Sequence, residues 1–320
     1  MHNDKIIVIL GTTSSGKSEV AIRLAKKFNG EVISADSRQI YKDMDLGTGK
    51  IVRDKNPKSE IRNPKQIQNS KFKIYYSSSI PHHMIDIVSP KTDYNAAKFK
   101  KAADKIIVDI LKRGKLPIIC GGTGFWIKAL VDNVSFPEVK PDWKLRKKLE
   151  KKSAFQLFKE LEKLDSERAK NVDKNNKVRL IRAIEICKAL GSVPNTKFQP
   201  PDTKYRFLQI GTAVPKEKLY KNIKKRLADR FKQGMIKEAA DLRKKYKLSW
   251  KKIQSFGLGY FWIPLYLQDK LDKKELFEKI FQAEKDYAKR QATWFQKDKR
   301  IKWLKNYGEI KKKTTNWLKK

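Results

Sequence analysis

Residues 11–18 read GTTSSGKS and match the phosphate-loop pattern G-x-x-x-x-G-K-[ST]. An apolar run over residues 5–10 precedes the loop and predicts a buried parallel strand, and residues 19–28 carry apolar side chains at helical spacing. In the order strand, loop, helix, such a motif binds phosphate through backbone N–H groups and the positive end of the helix dipole. The alternative is a purely structural glycine turn, which this context disfavours.

The loop therefore predicts a site for a diphosphate or a nucleotide. Lys17 supplies a point charge for the terminal phosphates, and the hydroxyl of Ser18 suits Mg²⁺. The predicted phosphate-binding residues are Gly11, Thr12, Thr13, Ser14, Ser15, Gly16, Lys17 and Ser18. The motif does not indicate which phosphate compound is bound or which reaction follows.

The chain of 320 residues carries a formal net charge of +40. So large a basic excess predicts a polyanionic partner, most often nucleic acid, and a generally lysine-rich surface is the alternative. Cys120 and Cys187 lie in apolar stretches and predict buried free thiols, because their spacing suits neither a disulfide framework nor a zinc site. No apolar run is long enough to span a membrane, and the first strand leaves no room for a signal peptide. We therefore expect a cytoplasmic protein.

Strand and helix patterns alternate along the first part of the chain, which predicts an α/β fold with a parallel sheet. The predicted strands are residues 31–35, 85–88, 116–120 and 206–211. Residues 142–190 show helical periodicity alone, and they predict a helical insertion before the last of these strands. We predict a first core segment over residues 1–134, the insertion over 135–204, and a return strand with basic helices over 205–320.

Three segments whose residues suit catalysis or ligand binding follow predicted strands. We therefore expect them to meet at the carboxyl edge of the sheet. They are the phosphate loop, Asp36 and the turn Gly121–Gly124. Asp36 suits a general base or a water-mediated metal ligand, and a helix N-cap is the alternative. The sequence offers no convincing Walker-B aspartate, because Asp109 lies within an amphipathic helix and Asp86 on a short strand. An ordinary nucleotide hydrolase is therefore disfavoured.

Arginine pairs and a basic C-terminal region add candidate phosphate contacts. Arg179 and Arg182 share one helix face, as do Arg226 and Arg230, and guanidinium groups bind phosphate in a bidentate manner. An exposed salt-bridged stripe is the alternative for the first pair. Basic and aromatic residues alternate over residues 287–295, and lysines dominate the remaining chain, which favours binding of RNA backbone.

Seven landmarks, in order and at matching spacing, make the chain resemble the tRNA dimethylallyltransferase family, also called tRNA isopentenyltransferases. The landmarks are GTTSSGKS (11–18), SADSRQIYKDMDLGTGK (34–50), PHHMIDIV (81–88), IICGGTGFWIKAL (118–130), RLIRAIEI (179–186), SFGLGY (255–260) and YAKRQATWF (287–295). The resemblance runs along nearly the whole chain. The chain shows no C-terminal zinc-finger extension, so the resemblance is to the bacterial type.

The resemblance implies transfer of a dimethylallyl group from dimethylallyl diphosphate to N6 of adenine at tRNA position 37, beside the anticodon. It also implies a P-loop kinase-like parallel sheet with helices on both faces, and a helical insertion that grips the anticodon arm. Mg²⁺ is the expected cofactor, and we expect a monomer that does not associate with membranes.

Functional residues carry over from the family to matching positions of this chain. Asp36 is implied as the base that accepts the N6 proton, Thr13 as a substrate contact, and Lys17 and Arg226 as stabilisers of the diphosphate. The implied tRNA contacts are Asp36, Ser37, Arg38, Gln39, Thr123, Arg146, Val178, Arg179, Leu180, Ile181, Arg182, Gln254, Ser255, Phe256, Gly257, Leu258 and Gly259.

Three alternatives remain open from the sequence. A small-molecule P-loop kinase shares the loop, but the basic charge and the missing Walker-B aspartate oppose it. An isopentenyltransferase acting on free adenine nucleotides shares the chemistry, but does not need a large basic insertion. A non-catalytic RNA-binding module is opposed by the intact Lys17, Ser18 and Asp36.

Overall fold

The computed structural model of the chain describes residues 4–55, 74–194 and 204–320. These residues form two compact units. One comprises Met1–Asp132 and Thr203–Lys320, and the other comprises Asn133–Asp202. We call them the core unit and the helical unit.

A seven-stranded sheet is the centre of the core unit. The strands are β1 (Lys5–Leu10), β2 (Gly30–Ser34), β3 (Tyr75–Ser77), β4 (Ile80–His83), β5 (Leu116–Gly121), β6 (Arg206–Thr212) and β7 (Lys302–Leu304). Their order across the sheet is β3-β4-β2-β5-β1-β6-β7, and of these neighbouring pairs only β3–β4 is antiparallel. β1 lies between β5 and β6 and is buried along its whole length, as its continuous apolar sequence predicts.

Thirteen helices accompany the sheet in the described residues. Those of the core unit are α1 (Lys17–Lys27), α2 (Ala96–Lys112), α3 (Gly124–Val131), α8 (Lys216–Lys232), α9 (Met235–Tyr246), α10 (Trp250–Gln254), α11 (Gly259–Tyr266), α12 (Lys273–Gln296) and α13 (Tyr307–Lys319). Those of the helical unit are α4 (Trp143–Leu149), α5 (Ala154–Leu164), α6 (Ser166–Lys170) and α7 (Lys177–Leu190).

Helices cover both faces of the sheet. Ile7 and Ile9 of β1 pack in one apolar cluster with Leu24 of α1 and Ile310 of α13. The alternate β1 side chains, such as Val8, point to the opposite face and are equally buried. α2 packs against β5 and β2. The predicted α/β architecture, with a parallel sheet between helical layers, is confirmed.

The helical unit has its own apolar core. Leu157 and Leu161 of α5 pack against Leu180 and Ile184 of α7. α7 ends at Leu190, and Gly191 is its C-cap with a φ of 83° that suits glycine. Ser153 forms a capping box at the start of α5, because its side chain and that of Gln156 each accept a backbone N–H.

The edges of the sheet depart from the prediction. The strand expected over residues 85–88 lies instead at Ile80–His83, because Met84 and Asp86 have positive φ values of 66° and 56° that break the extended chain. β3 and β7 were not predicted, since each has only three residues and shows no clear alternation. Among the described residues, no helix has the length and apolarity that crossing a membrane requires.

Candidate active site

A cavity of about 290 Å³ opens at the carboxyl edge of the sheet, within the core unit. β1, β2 and β5 are neighbours and run parallel, so the segments that follow them meet there, as predicted. The lining residues are Thr13, Lys17, Ser18, Asp36, Ser37, Arg38, Gln39, Gly47, Thr48, Gly49, Cys120, Gly121, Arg226, Arg230, Phe256, Gly257, Leu258, Tyr260, Glu284, Tyr287, Arg290 and Gln291.

The phosphate loop connects β1 to α1 in the predicted manner. Gly16 has a φ of 83°, and α1 begins at the next residue, so the helix N-terminus faces the loop. The Lys17 ammonium donates to the carbonyl oxygen of Thr12 over 3.0 Å, which folds the side chain back along the loop. Burial lowers the pKa of Lys17, and the nearby Cys120 and Asp36 oppose that shift. The loop thus presents a desolvated cation to an incoming anion.

Asp36 follows β2 and lines the same cavity as Lys17 and Arg226, the two candidate cations. The negative charge of Asp36 acts to raise the pKa values of Lys17 and Arg226, because it favours the charged form of each. Its Oδ1 accepts the backbone N–H of Arg38 over 2.9 Å. Residues 37–40 form a turn and no helix begins there, so the N-cap alternative is wrong and Asp36 instead caps this turn.

Thr123 positions the segment after Asp36. Its Oγ1 accepts the backbone N–H of Ser37 over 3.0 Å, and its own N–H donates to the carbonyl oxygen of Ala35 over 3.1 Å. The hydroxyl predicted to contact tRNA thus belongs to a residue that is bonded to the chain on both sides of Asp36. Nothing in the sequence pattern of the Gly121–Gly124 turn indicates that Thr123 is hydrogen-bonded to Ser37 and Ala35.

α8 contributes two arginines to the pocket, one turn apart. Arg226 donates to the carbonyl oxygen of Gly49, and burial lowers its pKa, as does the neighbouring charge of Arg230. Arg230 pairs with Glu284 of α12 over 2.5 Å, and both side chains are buried. Among the described contacts, Arg230 is paired with a carboxylate, whereas Arg226 is bonded to a carbonyl oxygen. The charge of Arg226 is therefore less closely compensated, which suits an anionic ligand.

Glu238 of α9 fixes the loop over residues 45–49 that faces Arg226. Its carboxylate accepts the backbone N–H groups of Asp45, Leu46 and Gly47 at 2.7–2.9 Å. The Tyr260 hydroxyl donates to the same carboxylate over 2.6 Å. Sequence reasoning missed both Glu238 and Tyr260, because their pairing depends on α9 and α11 meeting this loop in space.

Gln291 and Tyr287 of α12 also line the cavity and were not predicted as site residues. Gln291 Oε1 accepts the backbone N–H of Thr13 over 2.8 Å, and Gln291 Nε2 donates to the carbonyl oxygen of Gly122 over 2.9 Å. Burial together with the charge of Asp36 raises the pKa of the Tyr287 hydroxyl. Their spacing of four residues along the helix was the available signal in the sequence.

The segment over residues 254–259 meets the pocket with its middle part. Phe256, Gly257 and Leu258 line the cavity, and Leu258 has a φ of 48°, a strained value for a branched side chain. Among the predicted flanking contacts, the carbonyl oxygen of Ser255 accepts from the Arg38 guanidinium over 3.4 Å. The other two, Gln254 and Gly259, are not part of the lining, and Gly259 is buried against Met235.

The predicted RNA contacts of the helical unit fall into half-buried arginines, buried apolar side chains and exposed side chains. Arg146 and Arg182 both donate to the buried carboxylate of Glu185. Burial would raise the pKa of Glu185, but these hydrogen bonds outweigh it and lower the pKa to about 2. Leu180 and Ile181 lie in the core of the unit, so their side chains stabilise the fold. The exposed members are Val178 and Arg179.

Other titratable candidates lie outside the cavity or are buried thiols. Asp109 is exposed on α2 and pairs with Arg113, which confirms that it is a surface residue. Asp86 pairs with Lys50. Cys120 and Cys187 are buried free thiols as predicted, and burial raises the pKa of Cys120 to about 11. Within residues 4–55, 74–194 and 204–320, no group of three or more His, Cys, Asp or Glu side chains could hold a metal ion.

The mainly parallel sheet, the phosphate loop and a cavity lined by a carboxylate and two cations are typical of P-loop α/β enzymes, whose loops bind phosphate groups. The family model described as IPP transferase matches residues 39–298, and the model described as isopentenyl transferase matches residues 4–61. The chain belongs to the IPP transferase family and is an enzyme of the prenyltransferase class.

Relatives and solved structures agree with this assignment. The tRNA dimethylallyltransferase of Halothermothrix orenii is 37% identical over 99% of this chain and 94% of its own length. That of Pelotomaculum thermopropionicum is 39% identical over 94% of this chain and 91% of its own. The crystal structure of the tRNA isopentenylpyrophosphate transferase from Bacillus halodurans superposes with a TM-score of 0.67 at 30% identity, covering 99% of this chain and 97% of that one. A eukaryotic dimethylallyltransferase acting on tRNA superposes with a TM-score of 0.75 at 28% identity, covering 94% and 74%.

Proposed function

We propose that this enzyme transfers a dimethylallyl group from dimethylallyl diphosphate to N6 of adenine 37 in tRNA and releases diphosphate. The observation that carries the proposal is the position of Asp36, a carboxylate beside Lys17 and Arg226 in one cavity with the phosphate loop. A base next to an anion site is the arrangement that this transfer requires. The name tRNA dimethylallyltransferase, which the relatives share, supports tRNA as the acceptor and a dimethylallyl group as the moiety transferred.

The phosphate side of the cavity acts on the leaving group. As the bond between the allylic carbon and oxygen breaks, negative charge grows on the diphosphate. The loop N–H groups, Lys17 and Arg226 stabilise that charge from fixed positions, which is typically the largest contribution to such catalysis. Because Lys17 is desolvated, its attraction to the anion is stronger than in water.

Asp36 acts on the nucleophile. The exocyclic amine of adenine is weakly nucleophilic, since its lone pair is delocalised into the ring, and it must lose a proton as the new C–N bond forms. Asp36 accepts that proton, a contribution of about 10²–10⁴-fold in rate. Its hydrogen bond from the Arg38 N–H holds one carboxylate oxygen in place and orients the group.

Mg²⁺ suits the donors that this cavity offers. At phosphate-loop sites Mg²⁺ is held by the Ser or Thr hydroxyl that ends the loop together with phosphate oxygens, and Ser18 lines the cavity at that position. Ser18 would hold the ion together with diphosphate oxygens. When bound, it would add positive charge at the leaving group.

The tRNA contacts of this proposal lie in both units. In the core unit, Arg38, Phe256 and Leu258 line the cavity, and in the helical unit Val178 and Arg179 are exposed. The target adenine must leave the anticodon-loop stack to reach Asp36, which costs a few kcal/mol that contacts with the tRNA backbone offset. The net charge of +40 supports such contacts. We propose that the enzyme acts as a monomer on cytoplasmic tRNA.

A kinase reading fits the cavity less well. Of the described side chains that line it, the carboxylates are Asp36 and Glu284, and Glu284 is paired with Arg230. That leaves one carboxylate for both a metal and a phosphate acceptor, whereas a phosphoryl-transfer site of this fold uses a separate aspartate for Mg²⁺.

The direct test combines purified protein, dimethylallyl diphosphate, Mg²⁺ and an unmodified anticodon stem-loop. Nucleoside mass spectrometry should show N6-(dimethylallyl)adenosine, tandem mass spectrometry of the intact stem-loop should place it at position 37, and one diphosphate should be released for each adduct. A parallel reaction with labelled ATP and free adenosine nucleotides tests the alternatives. Phosphoryl transfer without adduct would establish a kinase, and prenylation of free AMP in preference to the stem-loop would establish a nucleotide isopentenyltransferase.

A further inference from the structure

Gln291 forms a two-sided bridge inside the cavity. Its Oε1 accepts from the Thr13 N–H at 2.8 Å and its Nε2 donates to the Gly122 carbonyl at 2.9 Å, so both ends of one amide are engaged. The residue is 6% exposed. A buried amide with both groups satisfied is rigid, because losing either bond leaves a polar group unpaired.

The surroundings are built around this side chain. A Cβ atom at position 122 would collide with the Gln291 amide, so the close approach requires glycine there. Two turns earlier on α12, the carboxylate of Glu284 pairs with Arg230 of α8 and ties the two helices together. α12 is therefore anchored to α8 before it reaches the phosphate loop.

The Gln291 bridge connects the loop that is proposed to bind the diphosphate with the segment that carries Asp36. On one side it holds Thr13, within the loop that binds the leaving group. On the other side it holds Gly122, next to Thr123, whose N–H and hydroxyl are bonded to Ala35 and Ser37 on either side of Asp36. A continuous set of bonds thus runs from the phosphate loop through Gln291 to the segment of the base.

We propose that Gln291 is a positioning residue for prenyl transfer, which sets the separation between the diphosphate loop and Asp36. The inference rests on the proposed function, because it assumes that leaving group and base act in one step. Gln291 needs no contact with either substrate for this role. Since a displacement of about 1 Å between reacting groups can cost about 10²-fold in rate, loss of the bridge should affect turnover more than binding.

The substitution Gln291→Glu distinguishes positioning from simple packing. In its carboxylate form, the new side chain can accept from Thr13 but cannot donate to Gly122, and its charge opposes a diphosphate. In its protonated form, the same side chain restores both the acceptor and the donor. Burial raises the pKa of such a carboxyl group, so acidification should restore the bridge within an accessible pH range.

The experiment compares wild type with Gln291→Met, Gln291→Glu and the matched control Gln282→Met, a glutamine on the same helix that does not line the cavity. Single-turnover rates, dissociation constants for dimethylallyl diphosphate and stem-loop, and thermal unfolding are measured for each protein. We expect Gln291→Met to lose about 10²-fold in rate with little change in either dissociation constant. The rate of Gln291→Glu, divided by that of wild type at the same pH, should rise as pH falls from about 8 to about 6.

Wild-type turnover in Gln291→Met would overturn the proposal. The proposal would also be overturned if the loss in rate only followed the fraction of unfolded protein and the rate of Gln291→Glu, relative to wild type, did not recover in acid. If the proposed function itself is wrong, the result is different, because wild type and Gln282→Met would then also form no adduct. That result would overturn both the proposed function and the positioning role of Gln291.

Discussion

Gln291 Oε1 accepts the backbone N–H of Thr13 at 2.8 Å, although 278 positions separate the two residues along the chain. The contact brings the longest helix of the core unit onto the first loop of the fold. The phosphate loop is therefore completed by α12 and is not a self-sufficient module of strand, loop and helix. The basic C-terminal third of the chain, which we propose to contact RNA, therefore also supports the predicted phosphate site.

Replacing Gly122 with alanine tests this contact from the other side. The new Cβ would collide with the Gln291 amide and displace it, so we expect a loss in turnover similar to that of Gln291→Met, about 10²-fold. Gly308→Ala is the matched control, because a Cβ there meets only the Asn306 side chain at 3.2 Å. Single-turnover kinetics measure both. Full activity of Gly122→Ala would show that the cavity tolerates movement of this bridge.

Arg226 should affect the diphosphate more than the RNA. Arg226→Ala removes one fixed cation, and the loss of one such stabilising group typically costs about 10²–10³-fold in kcat. Stem-loop affinity should stay near wild type, and Lys225→Ala, an exposed neighbour on α8, should be fully active. Steady-state kinetics with dimethylallyl diphosphate varied provide the measurement. A variant that loses only stem-loop affinity would place Arg226 on the RNA.

The helical unit should lose stability in acid through Glu185. The folded pKa is about 2, below the ordinary value of 4.5, so Glu185 contributes stability above about pH 4.5 that is lost as pH falls towards 2. Glu185→Gln should weaken the protection of α7 by about 1–3 kcal/mol at neutral pH and flatten its acid dependence. Hydrogen exchange of α5–α7 peptides measures this, with the exposed Glu167→Gln as control. Equal acid dependence in Glu185→Gln and wild type would contradict the assignment.

Affinity for tRNA should fall steeply with salt. If the enzyme neutralises about six to ten phosphates, the dissociation constant should rise by about 10³–10⁵-fold between about 50 and 200 mM salt. Filter binding or fluorescence anisotropy of a labelled stem-loop gives the slope. An affinity that does not change over this range would show that the basic surface does not contact the RNA.

The sequence was sufficient for the parts of the site that local pattern encodes. The loop 11–18, Asp36 and the turn at Gly121 each follow a buried parallel strand, and parallel strands place such segments at one edge. The strand at 206–211 was also predictable, because its apolar run is bounded by turn residues and is too short for a helix.

Contacts between distant helices were not predictable from local pattern. Glu238 and Gln291 lie on amphipathic helices, where a single polar side chain on a helix face is ordinarily solvated. Most of their partners are backbone N–H and C=O groups, which leave no trace in the identity of the residues that carry them. The strand misplaced by five positions has a similar cause, since the positive φ values of Met84 and Asp86 accompany tertiary contacts such as the pairing of Asp86 with Lys50.

The single-turnover rate of Asp36→Asn tests the account most directly. Dimethylallyl diphosphate and stem-loop are saturating, stem-loop affinity is measured in parallel, and Asp109→Asn, a surface carboxylate on α2, is the control. We predict a rate about 10²–10⁴-fold below wild type with stem-loop binding retained, and full activity of the control. A rate for Asp36→Asn near that of wild type would contradict the assignment of Asp36 as the base.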